Sequence, residues 1–304
     1  MTITHTSLET DLRLAVTLDT ALHVLLHDAA SIRDSGSLMY LGSVNGTGSD
    51  TSRIRYAGLN GLDAMAVVAD GSAASETALT DASVDIAVTR KCILRQITDL
   101  ATLTGFANDI NPATLAASVV GEYNTAFNDA VAAAVASAAT TVGSSGVDMT
   151  VDDYYDAMFQ LELNSVPGPY FAMLHPRQIA DFQESLRAEG GATQYMQATA
   201  DMLRIKGQGY AGNFLGVDIY KMSAVDDDGS DREGGMWGFG AIGWKNGIIQ
   251  TPPGAVMTSP DREVVVEFAR GPGAASGFTQ IIGHAYFGVS VLEQDRIVGI
   301  NTDN

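Results

Sequence analysis

Residues 50 to 98 constrain this chain more than any other stretch. "TSRIRYAGL" alternates polar and apolar side chains, and "SVDIAVTRKCILRQIT" answers it with Val84, Ile86 and Val88 on one parity, the period-two pattern of paired strands. Between the runs lies "NGLDAMAVVADGSAASETALTD", about twenty residues rich in Ala, Gly, Ser and Asp. A hairpin tip of that length is no tight turn, and inside a compact domain it would be unusual. The pattern predicts an extended arm that packs on something other than its own domain.

The second constraint is a long helix over 112–142. Asn111 caps it, Pro112 takes the first helical position, where its missing N–H costs nothing, and Gly143 follows the end. Eleven alanines fall between Ala113 and Ala139, and Leu115, Val119, Tyr123, Phe127, Ala130, Ala134 and Ala138 form one stripe. Small residues on its other faces let further backbone approach, so the helix is expected to be covered on several sides.

Around these two features the chain reads as mixed α and β. Leu8, Leu12, Val16, Leu22, Leu25 and Leu26 give an amphipathic N-terminal arm capped at Ser7, followed by a Gly- and Ser-rich stretch from Gly36 to Gly48. Thr150 and Asp153 resemble a capping box opening a helix through Tyr154, Met158 and Leu161. "PYFAML" reads as a buried strand, and His175-Pro176 as the start of a helix closed by Gly190-Gly191. "DREVVVEFAR" and "FTQIIGHAYFGVSVLEQDRIVGI" are long strand runs that should pair as neighbours. "VDDDGSDREGG" at 225–235 reads as a solvated loop.

Charge excludes some functions. The chain has 304 residues, 17 Lys and Arg against 36 Asp and Glu, and a formal net charge of −19. None of the cations form a run, so a surface that grips nucleic acid is not expected, because neutralising phosphates needs clustered Lys and Arg. Asp outnumbers Glu by 26 to 10 and only four lysines occur, a composition suggestive of salty surroundings, where repulsion between copies is screened. One cysteine, Cys92, excludes an internal disulfide framework and reads as a small buried strand residue. There is neither a secretory signal nor a run of 18 apolar residues, which leads us to expect a cytoplasmic protein.

Motifs that might carry chemistry fail on context. "GFGAIG" at 238–243 and "GQGYAG" at 207–212 both fit G-x-G-x-x-G, but neither lies between a strand and a helix in the required order. Both read as turns and bulges. His23 and His27 have a helical metal spacing without the glutamate of H-E-x-x-H. No G-x-S-x-G occurs, and Asp226, Asp227, Asp228, Asp231 and Glu233 do not meet EF-hand spacing. No catalytic residue, cofactor or metal site is assigned.

The order of elements resembles the major capsid proteins of tailed bacteriophages of the Hong Kong 97 type. That order is an arm, a long hairpin, one long helix, a central part from "YFAMLHPRQIADF" through "GNFLGVDIYKMSAV", and closing long strands. The resemblance covers nearly the whole chain. It implies an α+β capsid fold with an N-terminal arm (1–43), an extended hairpin or E-loop (44–96) and a peripheral domain (97–164 and 259–304) containing a spine helix over 112–142. An axial domain would span 165–258.

By the same resemblance the protein would be no enzyme but a structural subunit that self-assembles, as pentamers and hexamers, into an icosahedral shell around double-stranded DNA. Partners would be a portal, a separate scaffolding protein, a cement protein and weakly held DNA, with no membrane. Candidate contact residues are Arg53, Arg55 and Arg90 on the hairpin strands, for acidic neighbours, and Leu62, Met65, Val67 and Val68 at the apolar tip. Positions 59–82 contain no lysine, so the isopeptide cross-link of some relatives is not expected. The rival readings are an encapsulin-like compartment shell and a soluble α/β enzyme.

Overall fold

The computed structural model describes residues 32–57, 81–98, 112–188, 195–206, 209–227, 231–248, 255–258, 264–270 and 278–303. The N-terminal arm helix, His23, His27 and the hairpin tip with Leu62, Met65, Val67 and Val68 lie outside the described residues.

The strands, in chain order, begin with β1 (Met39–Ser43), β2 (Thr51–Ala57), β3 (Asp81–Ala87) and β4 (Thr89–Thr98). Helix α1 (Pro112–Ala136) then leads to β5 (Thr141–Gly143), α2 (Val151–Leu163), β6 (Tyr170–Leu174) and α3 (Pro176–Ala188). Next come β7 (Met196–Gln197), α4 (Ala200–Lys206), β8 (Tyr210–Phe214), β9 (Val217–Lys221), β10 (Asp226–Asp227), β11 (Asp231–Gly238) and β12 (Ile242–Asn246). The chain closes through β13 (Ala255–Thr258), β14 (Val264–Arg270), β15 (Phe278–Val291) and β16 (Ile297–Asp303).

Three sheets result. A six-stranded sheet runs β1-β12-β15-β14-β13, and β4 pairs the first part of β15, opposite β14 and on the same edge that β12 takes further along. An eight-stranded sheet runs β5-β16-β11-β6-β9-β8-β7, with β10 added to β11, while β2 and β3 form a separate ribbon. β14 and β15 pair from Val264↔Ala285 to Arg270↔Thr279, as the sequence predicts. The rest of the second long run does not follow: the chain breaks after Val291, and Ile297–Asp303 joins the other sheet.

The sheets therefore exchange segments across the expected domain limits. β12, from within 165–258, lies in the sheet of β14 and β15, and β16, from within 259–304, lies beside β11.

The long helix is present but shorter than 112–142. It ends at Ala136, where the Ser137 hydroxyl turns back to donate to the Ala134 carbonyl at 2.7 Å. The β-branched Thr141 and Val142 favour an extended chain, and they pair in parallel with Gly299 and Ile300. Gly143 does not cap the helix. It has φ of +82°, and a Cβ there would lie 2.3 Å from the Asn301 carbonyl oxygen.

Two cores flank α1 and α2. In the first, Phe127 of α1 meets Trp244 and Phe287 edge-on or tilted at 5.4 and 5.3 Å between centroids. Val119, Tyr123, Phe127 and Ala134 of the expected stripe are buried there, with Ala130 and Ala138 packed alongside. The outward face, with Glu122, Thr125, Asp129 and Ala133, is exposed, so the helix is covered on one side by its own chain. In the second core, Tyr154, Phe182 and Phe214 close on one another at 5.1 to 5.3 Å. Each such ring contributes about 1.5–3 kcal/mol by leaving water.

Candidate subunit interface

The hairpin is a β2–β3 ribbon in register from Thr51↔Ala87 to Ala57↔Asp81. The run over 81–98 is not one strand of that hairpin. It divides at Val88, and β4 leaves the ribbon to pair with β15 from Phe278↔Thr98 to Phe287↔Thr89. Sequence alternation hides the break, because both halves keep period two.

The break forms the root of the arm. Val88 N–H donates to the Asp50 carbonyl at 2.9 Å, and Lys245 Nζ donates to Ser52 Oγ at 2.6 Å. Ile86 and Val88 are buried. Gly288 lets the ribbon approach the sheet, since a Cβ there would sit 2.1 Å from the Ala87 carbonyl oxygen. These contacts tie the root of the arm to the sheet.

The predicted arginines are not one group. Arg53 is held within the arm, donating from Nε to Asp85 Oδ1 at 2.8 Å and from Nη2 to Oδ2 at 2.9 Å. The hydrogen bonds from Arg53 hold the exposed Asp85 carboxyl below its usual range. Arg55 stands opposite Ser83 in β2. Arg90 belongs to β4 rather than to the ribbon, and its Nη2 lies 3.0 Å from His284 Nδ1.

Burial, and then the Arg90 charge, push the His284 imidazole below its ordinary value, against the pull of Glu267, whose Oε2 is 3.9 Å from Nε2. The unfolded chain therefore takes up this proton first, so stability present at neutral pH is lost as pH falls through about 6.5. We expect the thermal midpoint to drop between about pH 7.5 and 5.5 and to drop less in His284→Gln. Equal slopes in the two proteins would contradict this.

Cys92 corrects another expectation: it is exposed. Strand alternation turns Ile93 toward the core and Cys92 away from it. The acidic segment over 225–235 is also not simply a solvated loop. Asp226 and Asp227 pair with Glu233 and Arg232, and the buried Asp231 accepts from Ser145 Oγ at 2.8 Å and Gly146 N–H at 3.1 Å. Among the described residues no group of three His, Cys, Asp or Glu side chains could hold a metal ion, and no helix is long and apolar enough to cross a membrane.

"GFGAIG" lies on the end of β11, a turn with Gly240 at φ +86°, and β12. It has no helix whose N-terminus could meet a phosphate.

Sequence reasoning missed one surface. The capping box of α2 is present, with Thr150 and Asp153 bonded reciprocally, and Val151, Tyr154, Ala157 and Leu161 face the core. Tyr155, Phe159 and Leu163, at intervals of four, are 39, 56 and 64% exposed. That spacing was legible as a second apolar face.

No protein-family model and no curated protein matches the chain. Solved structures do match its fold. A chain from Mycobacterium phage Che8 is 16% identical, with a TM-score of 0.53 over 83% of this chain and 84% of that one. The capsid structure of cyanophage P-SCSP1u is 14% identical, with a TM-score of 0.54 over 91 and 89%. The SrpI encapsulin of Synechococcus elongatus is 12% identical, with a TM-score of 0.61 over 88 and 85%. The chain has the α+β capsid fold of the Hong Kong 97 type.

Proposed function

We propose that the protein is a major capsid subunit of a tailed phage, assembling with copies of itself into an icosahedral shell around double-stranded DNA. The observation that carries this reading is the β2–β3 ribbon, a separate two-stranded sheet joined through a hydrogen-bonded root to a body whose fold is that of phage capsids. An arm of this kind contributes by reaching a neighbour, and many modest contacts repeated by symmetry add into a closed shell. The domain limits given above belong to this reading, and its contact set is the tip residues Leu62, Met65, Val67 and Val68 with the arginines Arg53, Arg55 and Arg90. Arg53 belongs to the same contact set and also braces the arm through Asp85.

A wall with a net charge of −19 does not grip phosphate, which suits DNA that must slide during packaging. The portal, the scaffolding and cement proteins, and assembly in a host cytoplasm belong to the same proposal, with no catalytic role. A second reading, an encapsulin-like compartment, is favoured by the TM-score of 0.61 to the encapsulin chain. The contents of purified particles separate the two: nuclease-protected DNA supports the phage shell, and protein cargo without DNA supports the compartment.

A further inference from the structure

Arg90, His284 and Glu267 stand in a line across β4, β15 and β14. His284 pairs with Cys92 of β4 and with Val265 of β14. Arg90, opposite Tyr286, and Glu267, opposite Ile282, are its diagonal neighbours on the two sides, within reach of long side chains on one face of a sheet. Alternation sends Lys91 and Arg95 to the other face, where Arg95 meets Glu122 of α1. Among the described residues, the titratable and charged groups that face His284 are therefore Arg90 and Cys92 from β4, Glu267 from β14 and Tyr286 from its own strand.

The contacts fix which ring nitrogen holds the proton. A guanidinium has only donors, so Arg90 Nη2 at 3.0 Å from Nδ1 requires a bare lone pair there. The proton of the neutral ring is then on Nε2, on the side of Glu267 Oε2 at 3.9 Å. A second proton must go to Nδ1. It turns the acceptor into a donor facing a donor, sets two cations side by side, and leaves the attraction to Glu267 in place. The His284 side chain is 11% exposed and held between strands, whereas Arg90 is exposed, so the guanidinium is the group that moves.

We infer that His284 is a proton-operated latch on Arg90: the neutral ring pins the guanidinium to β15, and the protonated ring frees it for carboxylates of a neighbouring copy. Such carboxylates are plentiful, with 36 Asp and Glu per chain against 17 Lys and Arg, and the inference rests on the shell reading above. By linkage, a contact that uses the freed Arg90 takes up a proton as it forms. His284 then binds its proton more tightly in the shell than in the free chain. The contact is at full strength below the free-chain midpoint and weakens as pH rises through the shell value. Its equilibrium constant should gain up to about tenfold per unit of falling pH in that window.

Two measurements test it. In the unassembled chain at low salt, isotope-labelled histidine rings are titrated by NMR, and His284 is the signal absent from His284→Gln. Its midpoint should rise in Arg90→Gln, which removes a cation, and fall in Glu267→Gln, which removes an anion. Separately, particle yield is read by sedimentation between about pH 7.5 and 5.5. Yield should rise as pH falls in the unmodified chain and rise much less in His284→Gln, whose amide oxygen still accepts from Arg90 but does not titrate. A midpoint that stays in place in either neighbour variant would overturn the latch. Yield that is flat or falls with acid in the unmodified chain, or that rises equally in His284→Gln, would overturn its part in assembly, and either result leaves the shell reading standing. Failure of the unmodified chain to assemble at any pH or salt concentration would instead count against the shell reading, and the role of the latch with it.

Discussion

Deletion of residues 60–78 is expected to leave a folded chain that no longer forms shells. The segment lies between β2 and β3, and both described cores are built from residues outside it. The root of the arm is also independent of it, being fixed by Val88 on Asp50, Lys245 on Ser52 and the buried Ile86. The thermal midpoint of the isolated chain should therefore move little. Assembly should be lost, because a contact missing from every copy is missing at every symmetry-related position. Normal particles from the deletion variant would remove the arm from the account.

The second large effect is expected at Gly288. A Cβ there would meet the Ala87 carbonyl oxygen at 2.1 Å and its carbon at 2.9 Å. Both are backbone atoms, which no side-chain rotation relieves. Gly288→Ala should cost about 1–3 kcal/mol as overpacking, lowering the thermal midpoint by several degrees, at roughly 2–4 °C per kcal/mol in a chain of this size. It should also push the ribbon away from the sheet and give malformed or fewer particles. Gly121→Ala is the control: nothing lies within 4 Å of its added Cβ and the position is exposed in α1, so the substitution should stabilise the helix by about 0.5–1 kcal/mol. An unchanged midpoint and normal particles for Gly288→Ala would show that the root is not fixed as described.

Features set by neighbours in sequence were legible before the structure. The Thr150 capping box, the buried face of α1 from Val119 to Phe127, and the pairing of β14 with β15 all follow from local spacing. Features set by distant partners were not. Val88 shows no break in alternation, and only the position of β15 decides that β4 leaves the ribbon there. The early end of α1 depends on Gly299 and Ile300, more than 150 residues away, offering Thr141 and Val142 a strand to join. Cys92 was misplaced because an apolar strand was read as buried on both faces, whereas only the face of β4 carrying Ile93 turns to the core. Of the predicted contact residues, Arg53 found its partner inside the arm, and the stripe of Tyr155, Phe159 and Leu163 was overlooked beside the stronger buried face of the same helix.

The claim that this chain builds a shell is tested most directly by expressing it alone and measuring particle size by light scattering, with negative-stain micrographs, at low and at molar salt. With a net charge of −19 per copy, repulsion should limit assembly at low ionic strength and be screened at high. The account expects closed particles tens of nanometres across, or rings of five or six copies, favoured by salt. A monodisperse monomer or dimer under both conditions would contradict it.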